Sequence, residues 1–203
     1  ESNIIGGMQA SENTYNFSVG TCGTIYMSSG TTYNGFVTCG HHRTLSSAVS
    51  VNGNSFGTIC LIGFSNNHYG DYSCVRMTSS DTLTNKIYGS STAATRNITS
   101  ASGSVAANAT VMKFGYVSGY ATATVTNTNT SMVTSGVTIL GLEECTLTSG
   151  SSAPGDSGGP YYISGGSGNN YTFVGEHTAH HSSGSILFTP YVRFSSKFTP
   201  KTS

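Results

Sequence analysis

The hydrophobic positions of this chain come in short runs, separated by clusters of Gly, Asn and Ser. Many runs alternate apolar and polar residues, as in 121–126, and no window has the spacing of an amphipathic helix. Short runs with frequent turn signals favour the strands of a β-sandwich or barrel. The predicted strands are 17–26, 31–38, 55–64, 71–77, 110–117, 121–126, 137–146, 160–163, 171–177 and 186–194.

A change in composition divides the chain into two halves. Residues 78–109 are rich in Ser, Thr, Ala and Asn and show little periodicity, which indicates a connection. We therefore predict an all-β protein with one barrel in 1–90 and another in 91–203. Ligand sites commonly lie between domains, so we expect the functional site in the cleft between the barrels.

Composition excludes several classes of function. Only 8% of the 203 residues are charged, the formal net charge is zero, and no basic run occurs. Binding to nucleic acid or to a charged membrane surface is therefore not expected. The apolar runs are too short to cross a bilayer. Because the sequence starts at Glu1 without a leader, we expect a secreted mature form that has lost a signal and a pro-segment.

The segment 155–160, Gly-Asp-Ser-Gly-Gly-Pro, is the most informative part of the chain. A serine between glycines on a tight turn exposes its hydroxyl, and nearby N–H groups can converge on one point. Upstream, 38–42 reads Thr-Cys-Gly-His-His and 70–72 reads Gly-Asp-Tyr. The order His, Asp, Ser is one of the known orders of a catalytic triad.

Together these segments resemble those of chymotrypsin-fold serine endopeptidases, most of all the secreted bacterial streptogrisins and α-lytic protease. The resemblance spans nearly the whole chain and implies two six-stranded antiparallel barrels. It implies Ser157 as nucleophile, His41 as base and Asp71 as the group that orients the base. The N–H groups of Gly155 and Ser157 then form the oxyanion hole. His42 is the alternative base, but the Thr-x-Gly-His frame favours His41.

The resemblance also implies an ion pair beneath the nucleophile. In the bacterial branch an internal basic residue pairs with the Asp that precedes the serine. Lys113, within Val-Met-Lys-Phe-Gly, matches that position. A Lys113–Asp156 pair is therefore expected to hold the oxyanion loop.

The segment 174–181, Val-Gly-Glu-His-Thr-Ala-His-His, resembles the strand that lines the specificity pocket of this family. Its main chain is expected to pair with the substrate as an added strand. His177 falls on the pocket-facing position, as in glutamyl endopeptidases, and Ser151 and Ser152 on the opposite wall offer hydroxyl donors. The predicted substrate-binding residues are His177, Thr178, Ala179, His180, Ser152 and Pro154.

An imidazole in a partly dry pocket can donate to a carboxylate and gain a proton as the acid binds. No acidic residue stands at the expected base of the pocket, which argues against cleavage after Arg or Lys. The sequence therefore favours cleavage after Glu, with Asp second. The alternative is that His177 is a packed strand residue and that the pocket takes large apolar side chains.

Other functions are less well supported by the sequence. Glu176, His177, His180 and His181 have a spacing that suits a metal site on a helix, but they lie on a predicted strand, so no metal and no cofactor are expected. The predicted partners are polypeptide substrates, and a monomer is expected. A catalytically silent homologue acting as a binding module remains a second class. A non-proteolytic esterase is disfavoured because its Gly-x-Ser-x-Gly turn follows a parallel strand.

The five cysteines leave at least one thiol unpaired within the chain. They are Cys22, Cys39, Cys60, Cys74 and Cys145. Cys60 and Cys74 flank the turn 66–70 and are candidates for a bridge across a hairpin. Cys22–Cys39 is a second candidate, and buried free thiols are an equal alternative.

Overall fold

The computed structural model describes all 203 residues and builds nearly all of its regular structure from β-strands. The strands are β1 (Asn3–Gly6), β2 (Gln9–Glu12), β3 (Tyr15–Ser18), β4 (Thr21–Tyr26), β5 (Thr32–Thr38), β6 (Ala48–Val51), β7 (Asn54–Gly63), β8 (His68–Tyr69), β9 (Tyr72–Met77), β10 (Thr82–Ser91), β11 (Ala94–Ala101), β12 (Thr110–Gly115), β13 (Gly119–Thr134), β14 (Val137–Ser149), β15 (Pro160–Ser164), β16 (Asn170–His180), β17 (Ser185–Pro190) and β18 (Phe198–Pro200). One 3-10 helix, Tyr191–Arg193, precedes β18. The protein has no helix with the length and apolar character needed to traverse a bilayer.

The strands form two sheets. The first barrel has the strand order β18-β4-β5-β9-β7-β6-β2-β3. The second barrel has the order β1-β10-β11-β16-β15-β12-β13-β14-β17, with β8 paired to β14 and a further pairing of β16 with β17. Most neighbours are antiparallel, while β1–β10, β11–β16 and β8–β14 are parallel. The predicted all-β, two-barrel fold class is confirmed.

The strand count and the sheet boundary differ from the prediction. The sheets hold eight and ten strands rather than six each, because short strands from distant parts of the chain extend their edges. β1 and β8 lie within 1–90, and β10 does so except for its last residue, but all three pair in the second barrel, whereas β18 pairs with β4 in the first. The hydrogen-bonded sheets therefore do not divide at residue 90, and both chain ends tie the barrels together.

The predicted connection 78–109 is largely regular structure, which corrects the sequence-based reading. It contains β10 and β11, which form an antiparallel pair. Each of these strands buries one fully enclosed aliphatic residue, Ile87 and Ile98 respectively, among mostly polar neighbours. Their backbone hydrogen bonds, rather than a hydrophobic period, define these strands, so the pattern did not reveal them.

Apolar packing fixes the two barrels against each other. One buried cluster contains Val37 and Cys74 from the first barrel together with Ile98 and Phe173 from the second. Separate clusters fill the interior of each barrel. The cleft between the barrels is thus bordered by a continuous core, which is a stable frame for a site.

All five cysteines are free thiols, so neither candidate bridge is present. The Cys60 thiol donates to the carbonyl of Cys74 at 3.5 Å. The Cys22 thiol donates to the carbonyl of Ile4 at 3.6 Å, and burial raises its pKa to about 12. Burial also raises the pKa of Cys39 well above its ordinary value. The buried thiols act as small apolar groups, whereas Cys60 is only half-buried.

Candidate active site

A cavity of about 220 Å³ lies in the cleft between the barrels and contains most of the predicted site. The predicted residues that line it are His41, Pro154, Ser157, His177, Thr178, Ala179 and His180. Residues from both barrels therefore converge on one space, as the sequence-based account expected of the cleft.

Asp71 holds the His41 segment through both of its carboxylate oxygens. Oδ2 lies 2.6 Å from His41 Nδ1. Oδ1 accepts the backbone N–H groups of Gly40 and His41, each at 2.7 Å. Asp71 is fully buried and its own N–H donates to Thr189 Oγ1 at 3.0 Å. The imidazole is thus fixed in orientation, with Nε2 left free for the cavity.

The electrostatics around His41 favour the imidazolium. Burial lowers the pKa of His41, but the charge and the hydrogen bond of Asp71 raise it by more, so the pKa lies above its ordinary value. His42, by contrast, makes no contact with Asp71 and stacks on Tyr15 with ring centroids 5.0 Å apart. Of the two adjacent histidines, only His41 is paired with the carboxylate.

Ser157 lines the same cavity as His41. Its hydroxyl donates to the carbonyl of Thr178 at 3.5 Å and is not hydrogen-bonded to the imidazole. Hydrogen bonds between nucleophile and base are often loose without substrate and tighten in the bound complex. The serine and the histidine therefore share one cavity, and the Ser157 hydroxyl is hydrogen-bonded to the main chain of β16.

The turn before Ser157 presents two unused donors. Neither the Gly155 N–H nor the Ser157 N–H has an acceptor inside the protein, whereas Asp156 N donates to Ala153 O at 3.1 Å and Gly158 N to His177 O at 2.7 Å. Gly155 has φ +100, and a Cβ there would meet Val117 at 2.7 Å, so only glycine fits. Two free N–H groups beside a serine are the arrangement that binds an oxyanion.

Asp156 is the fully buried anchor of this turn. It accepts from Lys113 Nζ at 3.2 Å, from Ala153 N at 2.9 Å and from Ser118 through both N–H and hydroxyl. Val117 N adds a further donor at 3.1 Å. Burial alone would raise the pKa of Asp156, but Lys113 and the hydrogen bonds lower it below its ordinary value. The structure thus brings Lys113 and Asp156 together beneath the nucleophile.

His177 lies at the inner end of the cavity with 2% of its surface exposed. Its Nδ1 is 2.7 Å from the hydroxyl of Tyr161, and its Nε2 is 3.1 Å from Ser152 Oγ. Burial, followed by the charge of Lys113, lowers the pKa of His177 to about 3. Burial also raises the pKa of Tyr161 well above its ordinary value, so its hydroxyl keeps its proton. We assign that proton as donated to Nδ1, which leaves His177 neutral with its own proton on Nε2.

The edge of β16 is open where it passes the serine. β15 pairs with β16 only as far as Pro160↔Glu176, and β17 covers the other side up to Ile186↔His180. Beyond Glu176, the backbone of 178–180 therefore has a free side towards the cavity. An extended peptide can add to such an edge as a further strand.

The sequence did not reveal some residues of the site. Met132 and Thr134 line the cavity from the end of the β13–β14 hairpin. β8 pairs with β14 and secures this hairpin against the first barrel, with Ile139 opposite His68. The sequence analysis also did not identify Tyr161, which orients His177. The one available signal for a role in the site was its position at the start of β15, directly after 155–160.

Comparison with known protein families and with curated proteins finds no match. Solved structures do match. Thermobifida fusca protease A has a TM-score of 0.78 at 25% identity and covers 98% of this chain and 100% of its own. A Nocardiopsis protease has a TM-score of 0.79 at 24% identity, with 97% and 98% covered. A glutamic acid-specific serine protease, described as using a histidine triad in substrate binding, has a TM-score of 0.75 at 22% identity, with 95% and 97% covered.

These matches extend over nearly the full length of both partners, so the likeness concerns the entire fold rather than one motif. The motif segments quoted above fall in the cleft of that fold. The chain therefore has the two-barrel fold of chymotrypsin-like serine proteases, and its structural neighbours support a serine protease of that fold.

Proposed function

We propose that this protein is a serine endopeptidase that hydrolyses peptide bonds through an acyl-enzyme. The observation that carries the proposal is the clamp of Asp71 on His41, which leaves Nε2 directed to the cavity that contains Ser157. In a catalytic triad, geometry of this kind presents an oriented base to a nucleophile.

The chemistry follows from these positions. Ser157 Oγ attacks the scissile carbonyl carbon and transfers its proton to His41 Nε2, while Asp71 stabilises the imidazolium. The N–H groups of Gly155 and Ser157 bind the oxyanion, each contributing roughly 3–4 kcal/mol to the transition state. The imidazolium then protonates the leaving amine, and water repeats the sequence on the acyl-enzyme. The substrate backbone pairs with the open edge at 178–180.

For specificity, we infer cleavage after Glu, with Asp second. Before substrate binds, the Nε2–H of neutral His177 donates to Ser152 Oγ, and a carboxylate that enters the pocket can accept both this N–H and the Ser152 hydroxyl. Carboxylate oxygens are the acceptors that gain most from such donors, since hydrogen bonds to a charged group are about twice as strong as neutral ones. One structural neighbour is described as glutamic acid-specific, which is consistent with this inference.

The second candidate is the same protease with a preference for a large apolar residue. The observation that favours it is the low pKa of His177, about 3, which leaves the pocket uncharged before substrate binds. Ala153 and Pro154 add apolar surface to the lining of the same cavity. The two candidates differ only in the substrate side chain that the pocket accepts, which is acidic in the first and large and apolar in the second.

Peptide mapping of a digested, denatured proteome tests both activity and specificity. The proposal predicts cuts after Glu in wild type and no cuts with Ser157→Ala, where turnover falls by about 10⁶. His177→Ala should remove the preference for Glu while leaving the serine reactive. Cuts after Tyr, Phe or Leu would establish the apolar alternative. Digestion by Ser157→Ala at the wild-type rate would refute the proposed nucleophile.

We also propose that the protein acts outside the cell, as its low charge and β-rich composition suggest, and that it does so as a monomer. Export of the precursor and sedimentation of the purified protein test these two points. A catalytically silent binding module is the outcome if neither proteome digestion nor labelling of Ser157 occurs.

A further inference from the structure

The loop that carries His41 contains a second buried carboxylate contact. The side chain of Glu12, at the end of β2, is 1% exposed, and that of Arg43, two residues after His41, is 2% exposed. Arg43 Nε lies 3.4 Å from Glu12 Oε1. Glu12 Oε2 also accepts the backbone N–H of Thr44 at 3.0 Å. A charged pair at this depth requires an explanation, because burying it has a high desolvation cost.

Aromatic rings complete the enclosure of the guanidinium. The Arg43 Cζ atom lies 3.8 Å from the ring centroid of Phe17 and 5.8 Å from that of Tyr15. His42 stacks on Tyr15 with the ring planes 4° apart. Side chains from both strands of the β2–β3 hairpin thus contact the loop that directly follows the proposed base.

Two carboxylates therefore hold the same segment from opposite ends. Asp71 accepts the N–H groups of Gly40 and His41, and Glu12 accepts that of Thr44 and pairs with Arg43. Between these anchors His42 has φ +62, a left-handed conformation that few residues with a side chain adopt. A conformation of this kind persists when the surrounding structure holds it in place.

We propose that Glu12 and Arg43 are positioning residues for His41: their buried ion pair sets where the imidazole lies relative to Ser157. The inference rests on the proposed protease function but concerns residues that neither touch the substrate nor belong to the triad. A purely stabilising role is a poor explanation, since buried ion pairs are commonly no better for stability than apolar residues of similar size.

The charge of Arg43 gives the proposal a second, measurable consequence. Burial and Arg43 both lower the pKa of His41, whereas Asp71 raises it. The other titratable groups whose charges interact with that of His41 are His42 in its own loop and His177 on β16. Loss of the Arg43 charge should therefore raise the pKa of His41.

The test uses Arg43→Met, Glu12→Gln and the double variant, in which no unpaired charge remains. Arg96→Met is the matched control, because Arg96 also packs over an aromatic ring, that of Tyr171, at 4.6 Å, but in the second barrel. In the double variant kcat should fall by about 10²-fold with little change in KM, the cost of an ångström-scale displacement of a catalytic group. Its melting temperature should stay close to that of wild type.

A second readout does not depend on activity. The pKa of His41, followed by NMR titration of the imidazole, should rise in Arg43→Met, and Arg43→Lys should restore it. Unchanged kcat in a folded double variant, together with an unchanged His41 pKa in Arg43→Met, would overturn the proposal. If wild type itself hydrolyses no peptide bond, the protease function fails, and the NMR titration still decides whether Arg43 acts on His41.

Discussion

Asp71 uses its two carboxylate oxygens for different contacts with His41. Oδ1 accepts the backbone N–H at 2.7 Å, and Oδ2 contacts the ring Nδ1 at 2.6 Å. Backbone and ring of the same residue are thereby fixed by a single side chain, which has no solvent exposure. Rotation of the imidazole away from this orientation would break its Nδ1–Oδ2 contact.

Asp71→Asn tests this relationship. The amide keeps the shape but offers an N–H where Nδ1 needs an acceptor, which favours the wrong imidazole tautomer. We expect kcat to fall by about 10⁴ with KM nearly unchanged. The measurement is steady-state hydrolysis of a peptide ester and a peptide amide between pH 6 and 10. Loss of less than tenfold would show that Asp71 does not orient the base.

Lys113→Met tests the support of the oxyanion turn. The substitution leaves the Asp156 carboxylate buried without its counter-charge, which should cost about 3–5 kcal/mol of unfolding free energy. The pKa of Asp156 lies below its ordinary value of 3.8, so this stabilisation is present above that pH and is lost as the pH falls through the lowered pKa. Denaturant unfolding at pH 7 and at pH 3 measures both effects.

The matched control is Lys86→Met, since Lys86 is exposed on β10. We expect that variant to unfold within about 0.5 kcal/mol of wild type. Equal stability of Lys113→Met and Lys86→Met would contradict the role given to the Lys113–Asp156 pair.

Much of the site could be predicted from the sequence, because its chemistry is local. The turn at 155–160 and the segments around His41 and Asp71 each need particular residues at fixed spacing, and the structure brings these segments to one cleft. The position of Lys113 beneath Asp156 followed from the resemblance to bacterial proteases rather than from any pattern in the chain.

Contacts between distant segments were not predictable. Met132 reaches the cavity because β14 pairs with β8, and no local pattern records that pairing. β10 and β11 are polar strands whose existence depends on backbone hydrogen bonds to other strands. The cysteine positions in the sequence did not decide whether bridges form, because a bridge depends on the distance and orientation of two thiols and not on their number.

Tyr161→Phe tests how the specificity pocket is ordered. The substitution removes the hydroxyl that contacts His177 Nδ1 at 2.7 Å but keeps the ring, which stacks on Phe188 with centroids 4.5 Å apart. The proton of His177 is then free to move from Nε2 to Nδ1. We expect kcat/KM for a Glu substrate to fall up to about tenfold, the value of one hydrogen bond.

The comparison substrate carries Gln in place of Glu, and labelling of Ser157 by a fluorophosphonate serves as the control for an intact triad. Labelling should proceed at the wild-type rate. An unchanged ratio of Glu to Gln hydrolysis would indicate that Tyr161 has no part in selecting the substrate.

Glu176→Gln should stabilise the protein. Both carboxyl oxygens of Glu176 are buried without a hydrogen-bond partner. Burial, followed by the nearby charge of Asp71, raises the pKa of Glu176 well above its ordinary value of 4.5. Below pH 4.5 the carboxyl is protonated in both the folded and the unfolded state, so it does not destabilise wild type. As the pH rises above 4.5 towards the raised pKa, the unfolded state ionises first and wild type loses stability.

Thermal unfolding between pH 4 and 9 measures this effect. The melting temperature of Glu176→Gln should exceed that of wild type at pH 8, and the two should converge at pH 4. A variant that is less stable than wild type at pH 8 would mean that the ionised carboxylate is accommodated in the native state.

The most direct test of the account is the mass-spectrometric mapping of a fluorophosphonate adduct on the native protein, with His41→Ala as comparison. A nucleophile activated by an oriented imidazole predicts one adduct, located on the hydroxyl at position 157, that forms at least about 10³-fold more slowly in the variant. An adduct at another residue, or equal rates in the two proteins, would contradict the arrangement of base and nucleophile on which the proposed activity depends.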